Sequence, residues 1–130
     1  MIEINNRTDF DLPLKELKKL VAAIYSGEKD ISIAFIDSSR ISILNKKYRD
    51  KEEPTDVLSF PGDLFLGEIL IAPEVVKRQA TEANIDFNTQ IRRVLVHGVL
   101  HLLGYDHKNK EDKEKMRSKE EEFLKKGLTS

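Results

Sequence analysis

All three histidines of this 130-residue chain lie in one segment, HGVLHLLGYDH, which runs from His97 to His107. His97 and His101 are four residues apart, so on a helix they face the same way, with Cβ atoms about 5–6 Å apart. That spacing allows two imidazoles to bind one metal ion through bonds of about 2.0–2.1 Å. Gly104 can end the helix in a left-handed conformation and turn the chain back, so that His107 completes the set from a loop. Three neutral imidazoles with open remaining positions describe a catalytic zinc site, with one ion per chain.

Other interpretations of the histidines concern what the metal does and which metal it is. A single histidine on an apolar helix is usually a core residue, but three at these spacings favour metal binding. A structural metal is disfavoured because a closed site takes a fourth protein ligand, and the chain contains no cysteine. Nickel or copper can also occupy a three-imidazole site, so the identity of the ion stays open.

The residue after the first histidine bears on the type of chemistry. The same spacing of histidines and glycine occurs in metzincin zinc peptidases, which need a glutamate at that position as general base. Here the position is Gly98. Loss of a general base costs on the order of 10²–10⁴ in rate, so a peptidase is disfavoured. A glycine inside a helix also costs about 1 kcal/mol relative to alanine, which indicates either a close approach of a ligand or tight packing.

Apolar periodicity places the histidines on the most apolar helix of an α+β domain. We expect strands where apolar and polar residues alternate or form short apolar runs, namely 1–6, 30–37, 55–60 and 66–72. We expect helices at 14–25, from 38 or 39 to 48, and at 73–83, 88–103 and 109–126. The last helix is expected to be a solvated tail that ends at Gly127. The predicted fold is a small mixed sheet of about four strands, packed with helices around a central histidine-bearing helix, in one domain spanning 1–130.

The composition restricts the class of protein and its surroundings. Charged residues make up 35% of the chain and hydrophobic residues 39%, as in a globular protein with a well solvated surface. The formal net charge is −1, so any contact with nucleic acid must depend on a local site. The apolar runs are shorter than the roughly 20 residues of a membrane span, and the first residues have no pattern of a secretory signal. We therefore expect a cytoplasmic protein of bacterial type that does not act at a membrane.

These motifs resemble the YbeY family of metal-dependent endoribonucleases, which are specific for single-stranded RNA. The histidine segment matches the family pattern H-G-x-L-H-L-x-G-Y-D-H. Upstream, LNKKYRDKEEPTDVLSFP matches the pattern N-x-x-Y-R, a short charged loop and P-T-[DN]-V-L-S-F-P, and LGEILIAPEVV matches a third, weaker block. The matching blocks run from Leu44 to His107, about half of the chain, and no functional position departs from the family pattern.

The resemblance implies a zinc ion held by His97, His101 and His107, and a functional arginine at Arg49. Since a guanidinium can donate two parallel hydrogen bonds to phosphate oxygens, we expect Arg49 to hold an RNA phosphate; a solvated loop arginine is the alternative. Asp106 accepts a hydrogen bond from a histidine, relays a proton, or serves as a turn residue. The implied partners are single-stranded RNA, 16S ribosomal RNA and the small ribosomal subunit, with no role for DNA, while the oligomeric state stays open.

Three functions follow from these residues and from the resemblance. The first is a zinc-dependent endoribonuclease that acts in maturation of the 3′ end of 16S ribosomal RNA. In it the zinc either lowers the pKa of bound water or polarises a phosphoryl oxygen, and the nucleophile is either that water or the ribose 2′-hydroxyl. The second is a zinc hydrolase of another substrate, and the third is a non-catalytic ribosome-assembly factor that a metal stabilises.

Overall fold

The computed structural model describes residues 1–49, 55–105 and 109–129. In these ranges four strands form one mixed sheet: β1 (Ile2–Asn6), β2 (Ile31–Phe35), β3 (Val57–Pro61) and β4 (Gly67–Ile71). Their order in the sheet is β1–β2–β4–β3. Strands β1, β2 and β4 are parallel, whereas the edge strand β3 is antiparallel to β4. The predicted α+β class, with a mixed sheet of about four strands, is therefore confirmed.

The helices of the described ranges are α1 (Leu14–Ile24), α2 (Ser38–Arg49), α3 (Pro73–Ala83), α4 (Phe87–Leu102) and α5 (Lys110–Thr129). Each lies within a few residues of its predicted range, and α3 has the predicted bounds. Helix α5 passes Gly127, so the prediction that this glycine ends the helix is wrong. A glycine inside a helix costs only about 1 kcal/mol, which is too little to stop a helix by itself. None of these helices is both long and apolar enough to cross a lipid bilayer.

The two middle strands, β2 and β4, carry apolar side chains on both faces of the sheet. Residues at alternate positions point to opposite faces, so such strands have almost continuous apolar sequences. One face packs against α1 and α4, and the other packs against Ile41 and Leu44 of α2. The side chains on the first face are Ile31, Ile33, Phe35, Ile69 and Ile71. Those on the second face include Ala34, Leu70 and Leu58.

Helix α4 lies beside α1 on the sheet, and α5 packs against both of these helices. Val94, Leu95 and Val99 pack against the sheet, whereas Val96 and Leu100 pack against α1 and α5. This arrangement confirms that the histidine-bearing helix is the central one.

Gly98 sets how closely α4 approaches the sheet. A Cβ atom at this position would lie 3.1 Å from Cγ2 of Ile69 and 3.4 Å from Cγ2 of Val57, which leaves no room for a larger side chain. The close approach that a mid-helix glycine indicates is therefore packing against β3 and β4. A glutamate here would point into the apolar core, which adds a structural reason against metzincin chemistry.

Both ends of α4 have ordinary capping interactions. At the start, the backbone N–H of Thr89 donates to the side chain of Asp86 at 3.2 Å. At the end, Gly104 has a φ of 99°. The N–H groups of Gly104 and Tyr105 donate to the carbonyl oxygens of His101 and Leu100, each at 3.1 Å. These two bonds form a Schellman motif, which confirms that Gly104 ends the helix in a left-handed conformation.

Candidate metal centre

Two of the three predicted metal ligands lie on consecutive turns of α4. The side chain of His97 is 39% exposed and lines a cleft at the surface. His101 is half-buried, and its Nδ1 atom is buried. The third predicted ligand, His107, lies outside the described residues, as does Asp106. The position of His107 relative to the other two histidines therefore stays a prediction.

His97 makes a close contact with a carboxylate from another helix. Its Nδ1 atom lies 2.7 Å from Oε1 of Glu120 on α5. This hydrogen bond raises the pKa of His97 above its ordinary value, burial opposes the rise, and the negative charges of Glu120 and Asp56 add to it. When the ring is neutral and Nδ1 carries the proton, the lone pair lies on Nε2.

The cleft beside His97 is bounded by the edge of the sheet, α4 and α5. Its volume is about 210 Å³, and its lining includes Asp56, Arg93, His97 and Glu120. Arg93 precedes His97 by one helical turn, so the two side chains leave α4 on the same side. Asp56 lies just before β3, and its carboxylate accepts a hydrogen bond from the side-chain amide of Gln79 at 3.2 Å. The cleft therefore combines an imidazole, a guanidinium and two carboxylates.

The imidazole groups of His97 and His101 fit zinc in their chemistry. Neutral imidazole nitrogens are common zinc ligands, and a zinc-bound histidine usually donates its other N–H to a carboxylate or carbonyl oxygen, as His97 can to Glu120. Within residues 1–49, 55–105 and 109–129, no group of three or more histidine, aspartate or glutamate side chains could hold a metal ion. A metal ion held by the two helical histidines would therefore need a further ligand, and His107 stays the prediction for it.

The other predicted site residue, Arg49, is the last residue of α2, and its side chain lies outside the described part of the chain. Glu120 is not among the site residues predicted from the sequence. The signal that was available is its position on α5, four residues after Met116 and three before Phe123. These two residues are among the few large apolar ones of that helix, so Glu120 shares their face.

The fold and the site define an α+β protein in which the central helix carries two histidines one turn apart, and the first of them lines a surface cleft. The solution structure of TM1509 from Thermotoga maritima is similar to this chain, with a TM-score of 0.77 and 30% sequence identity; the match covers 99% of this chain and 90% of that one. This similarity supports the assigned fold.

The family model described as Endoribonuclease YbeY matches residues 3–127. The chain is 39% identical to Endoribonuclease YbeY of Nautilia profundicola over 130 residues, covering 97% of this chain and 91% of that protein. It is 45% identical to Endoribonuclease YbeY of Thermodesulfovibrio yellowstonii over 133 residues, covering 85% and 84%. The chain therefore belongs to the YbeY endoribonuclease family, a family of hydrolases, as the motifs around the histidines predict.

Proposed function

We propose that this protein is a zinc-dependent endoribonuclease that cleaves single-stranded RNA in the cytoplasm. Its substrate is the 3′ region of 16S ribosomal RNA on the small ribosomal subunit, and it acts there in maturation and in ribosome quality control. The observation that carries the proposal is the position of His97. Its Nδ1 atom is hydrogen-bonded to Glu120, its side chain lines the cleft, and His101 lies one helical turn further along α4. Membership of a family named for endoribonuclease activity supports RNA as the substrate.

In this proposal the residues of α4 and of the segment after it hold the metal. His97 and His101 bind zinc from consecutive turns, and His107 is the third ligand. When bound, zinc supplies a Lewis acid beside a phosphodiester. Arg49 donates paired hydrogen bonds to a phosphate oxygen pair, as a guanidinium does most effectively.

The size of the cleft suits a local contact with one strand. Its volume of about 210 Å³ is below the roughly 300–1,000 Å³ of pockets that enclose a whole drug-sized ligand. It therefore suits one phosphodiester group with the strand lying across it. Since the net charge of the chain is −1, RNA binding depends on the metal and on individual cations such as Arg93 instead of a broad basic surface.

Metal removal tests the function directly. We expect the protein stripped by a chelator to lose cleavage of a single-stranded RNA and to regain it with added zinc. With zinc present, the same RNA in a duplex should be cleaved more slowly than the single strand. His101→Ala should behave like stripped protein even with zinc present. Arg117→Ala, a change on the exposed face of α5, is the matched control and should keep wild-type activity. Full activity after complete stripping, verified by elemental analysis, would rule out zinc dependence.

Two further variants address the other predicted residues. Arg49→Lys keeps the charge but loses the paired hydrogen bonds, so we expect slower RNA cleavage with unchanged zinc binding. Wild-type cleavage by this variant would contradict a bidentate contact with phosphate. His107→Ala should abolish cleavage with modest destabilisation; unfolding of the protein would instead indicate a structural metal in an assembly factor. A peptidase assay on the same preparation tests the remaining alternative, which Gly98 disfavours.

A further inference from the structure

A carboxylate lies on the face of α5 that packs against the rest of the protein. Met116 on this face is 2% exposed and packs with Leu20, Val96 and Leu100, while Phe123 and Leu124 pack at the edge of the same cluster. Glu120 falls between them on the same face. Placing a charged group there carries a desolvation cost unless a polar partner compensates it.

The three successive glutamates of α5 differ in what they contact. Glu121 pairs with Arg117 at 3.9 Å and Glu122 with Lys119 at 3.1 Å, both within α5. The side chains of Glu121 and Glu122 are 66% and 46% exposed, whereas that of Glu120 is 25% exposed. Glu120 reaches instead to His97 on α4, 23 residues away in the sequence. Its partner therefore belongs to the candidate metal centre.

We propose that Glu120 is a positioning residue for the metal centre: it accepts the hydrogen bond from Nδ1 of His97 and thereby presents Nε2 of that ring to the metal. The proposal rests on the proposed function, since it assigns the nitrogen through which His97 binds zinc. The carboxylate fixes two properties of the ring. It selects the tautomer with the proton on Nδ1, and it restricts rotation of the ring about the Cβ–Cγ bond.

This role makes α5 a part of the site although it supplies no metal ligand. The helix is held on α4 by Met116 and its apolar neighbours, and Glu120 lies one turn beyond Met116. Partners that orient a metal-binding histidine typically contribute 10- to 100-fold to metal affinity. We therefore expect Glu120→Ala to weaken zinc binding by about 10- to 100-fold. Glu120→Gln, which keeps an acceptor oxygen without the charge, should weaken it less.

The experiment compares full-length wild type, Glu120→Ala, Glu120→Gln and the control Glu121→Ala. Zinc affinity is measured by competition with a chromophoric chelator. The tautomer of His97 is read from the ¹⁵N chemical shifts of its ring in metal-free protein, at alkaline pH where the ring is neutral. We expect the Nδ1–H tautomer in wild type and Glu121→Ala, a shift toward Nε2–H in Glu120→Ala, and partial retention of Nδ1–H in Glu120→Gln.

The two readouts separate this inference from the proposed function. An Nε2–H tautomer in wild type, or zinc affinity and tautomer unchanged in Glu120→Ala, would overturn the role of Glu120 even if the protein cleaves RNA. Failure of wild type to bind zinc would overturn the proposed metal centre and, with it, the assignment of Nε2. If Glu120→Ala does not fold, wild type and Glu120→Gln still decide the matter. An Nε2–H tautomer in wild type contradicts the inference. So does Glu120→Gln if its zinc affinity and its tautomer both equal those of wild type.

Discussion

Substitution of Met116 tests whether α5 is docked on the core as the site requires. The side chain is 2% exposed and is surrounded by Leu20, Val96 and Leu100. Met→Ala changes in protein cores cost about 2–5 kcal/mol. We expect about 2–3 kcal/mol for Met116→Ala, in the lower half of that range, because α5 covers the cluster from outside and can move inward to fill part of the space. A typical domain has about 5–15 kcal/mol of stability in total, so the variant should still fold.

The assay is urea denaturation followed by far-ultraviolet circular dichroism, with a chelator present so that metal binding does not contribute. Met116→Leu keeps the volume and should cost less than about 1.5 kcal/mol. Arg117→Ala removes a side chain that is 82% exposed and should stay within about 0.5 kcal/mol of wild type. Because Glu120 lies on the same helix, Met116→Ala should also weaken zinc binding. A loss of stability no larger than that of Arg117→Ala would show that α5 is not docked on this cluster.

Two glycines give further predictions. Gly104→Ala should lower the free energy of unfolding by about 1–2 kcal/mol, the cost of a left-handed conformation for an L-residue, because φ is 99° at this position. An added Cβ would meet nothing within 4 Å, so no steric clash adds to this cost. Urea denaturation measures the change, and no loss of stability would contradict the left-handed cap. Gly98→Glu places a carboxylate against Ile69 and Val57, so it should cost at least about 3 kcal/mol and produce no peptidase activity. Thermal melting of Gly98→Glu, compared with Gly98→Ala, measures the loss of stability, and a peptide-cleavage assay tests for peptidase activity. Wild-type stability of Gly98→Glu would contradict the tight packing around Gly98.

The parts of the fold that could be predicted are those that local physics determines. Pro73 fixes the start of α3 because proline suits the first turn of a helix, and Gly104 fixes the end of α4 because it can adopt positive φ. The apolar residues Ile31, Ile33 and Phe35 at alternate positions predict β2 from a segment of only five residues. The sheet order β1–β2–β4–β3 depends on pairing between distant segments, which no local pattern in a single sequence specifies.

The candidate site divides in the same way. His97 and His101 could be proposed as metal ligands because their spacing matches one helical turn and a metal needs convergent donors. Glu120 is harder to recognise, because it stands in a run of three glutamates typical of a solvated helix face, and its partner is on another helix. Only the rotation of α5 about its own axis, set by Met116, distinguishes Glu120 from Glu121. The spacing of Glu120 from Met116 and Phe123 indicates this rotation, but the contact between Glu120 and His97 becomes visible only in the structure.

The packing of α4 also explains why His97 opens on the surface although the helix is apolar around most of its circumference. Val94 and Gly98 face the sheet, and Val96 and Leu100 face the layer of α1 and α5. With 3.6 residues per turn, Arg93, His97 and His101 lie between these two sets of residues, and Arg93 and His97 line the cleft. The cleft is flanked by Asp56 on the side of the sheet and by Glu120 on the side of α5. The sheet and α5, which both bury part of α4, therefore also supply the carboxylates of the cleft, so a change in how either one packs on α4 must alter the surroundings of His97.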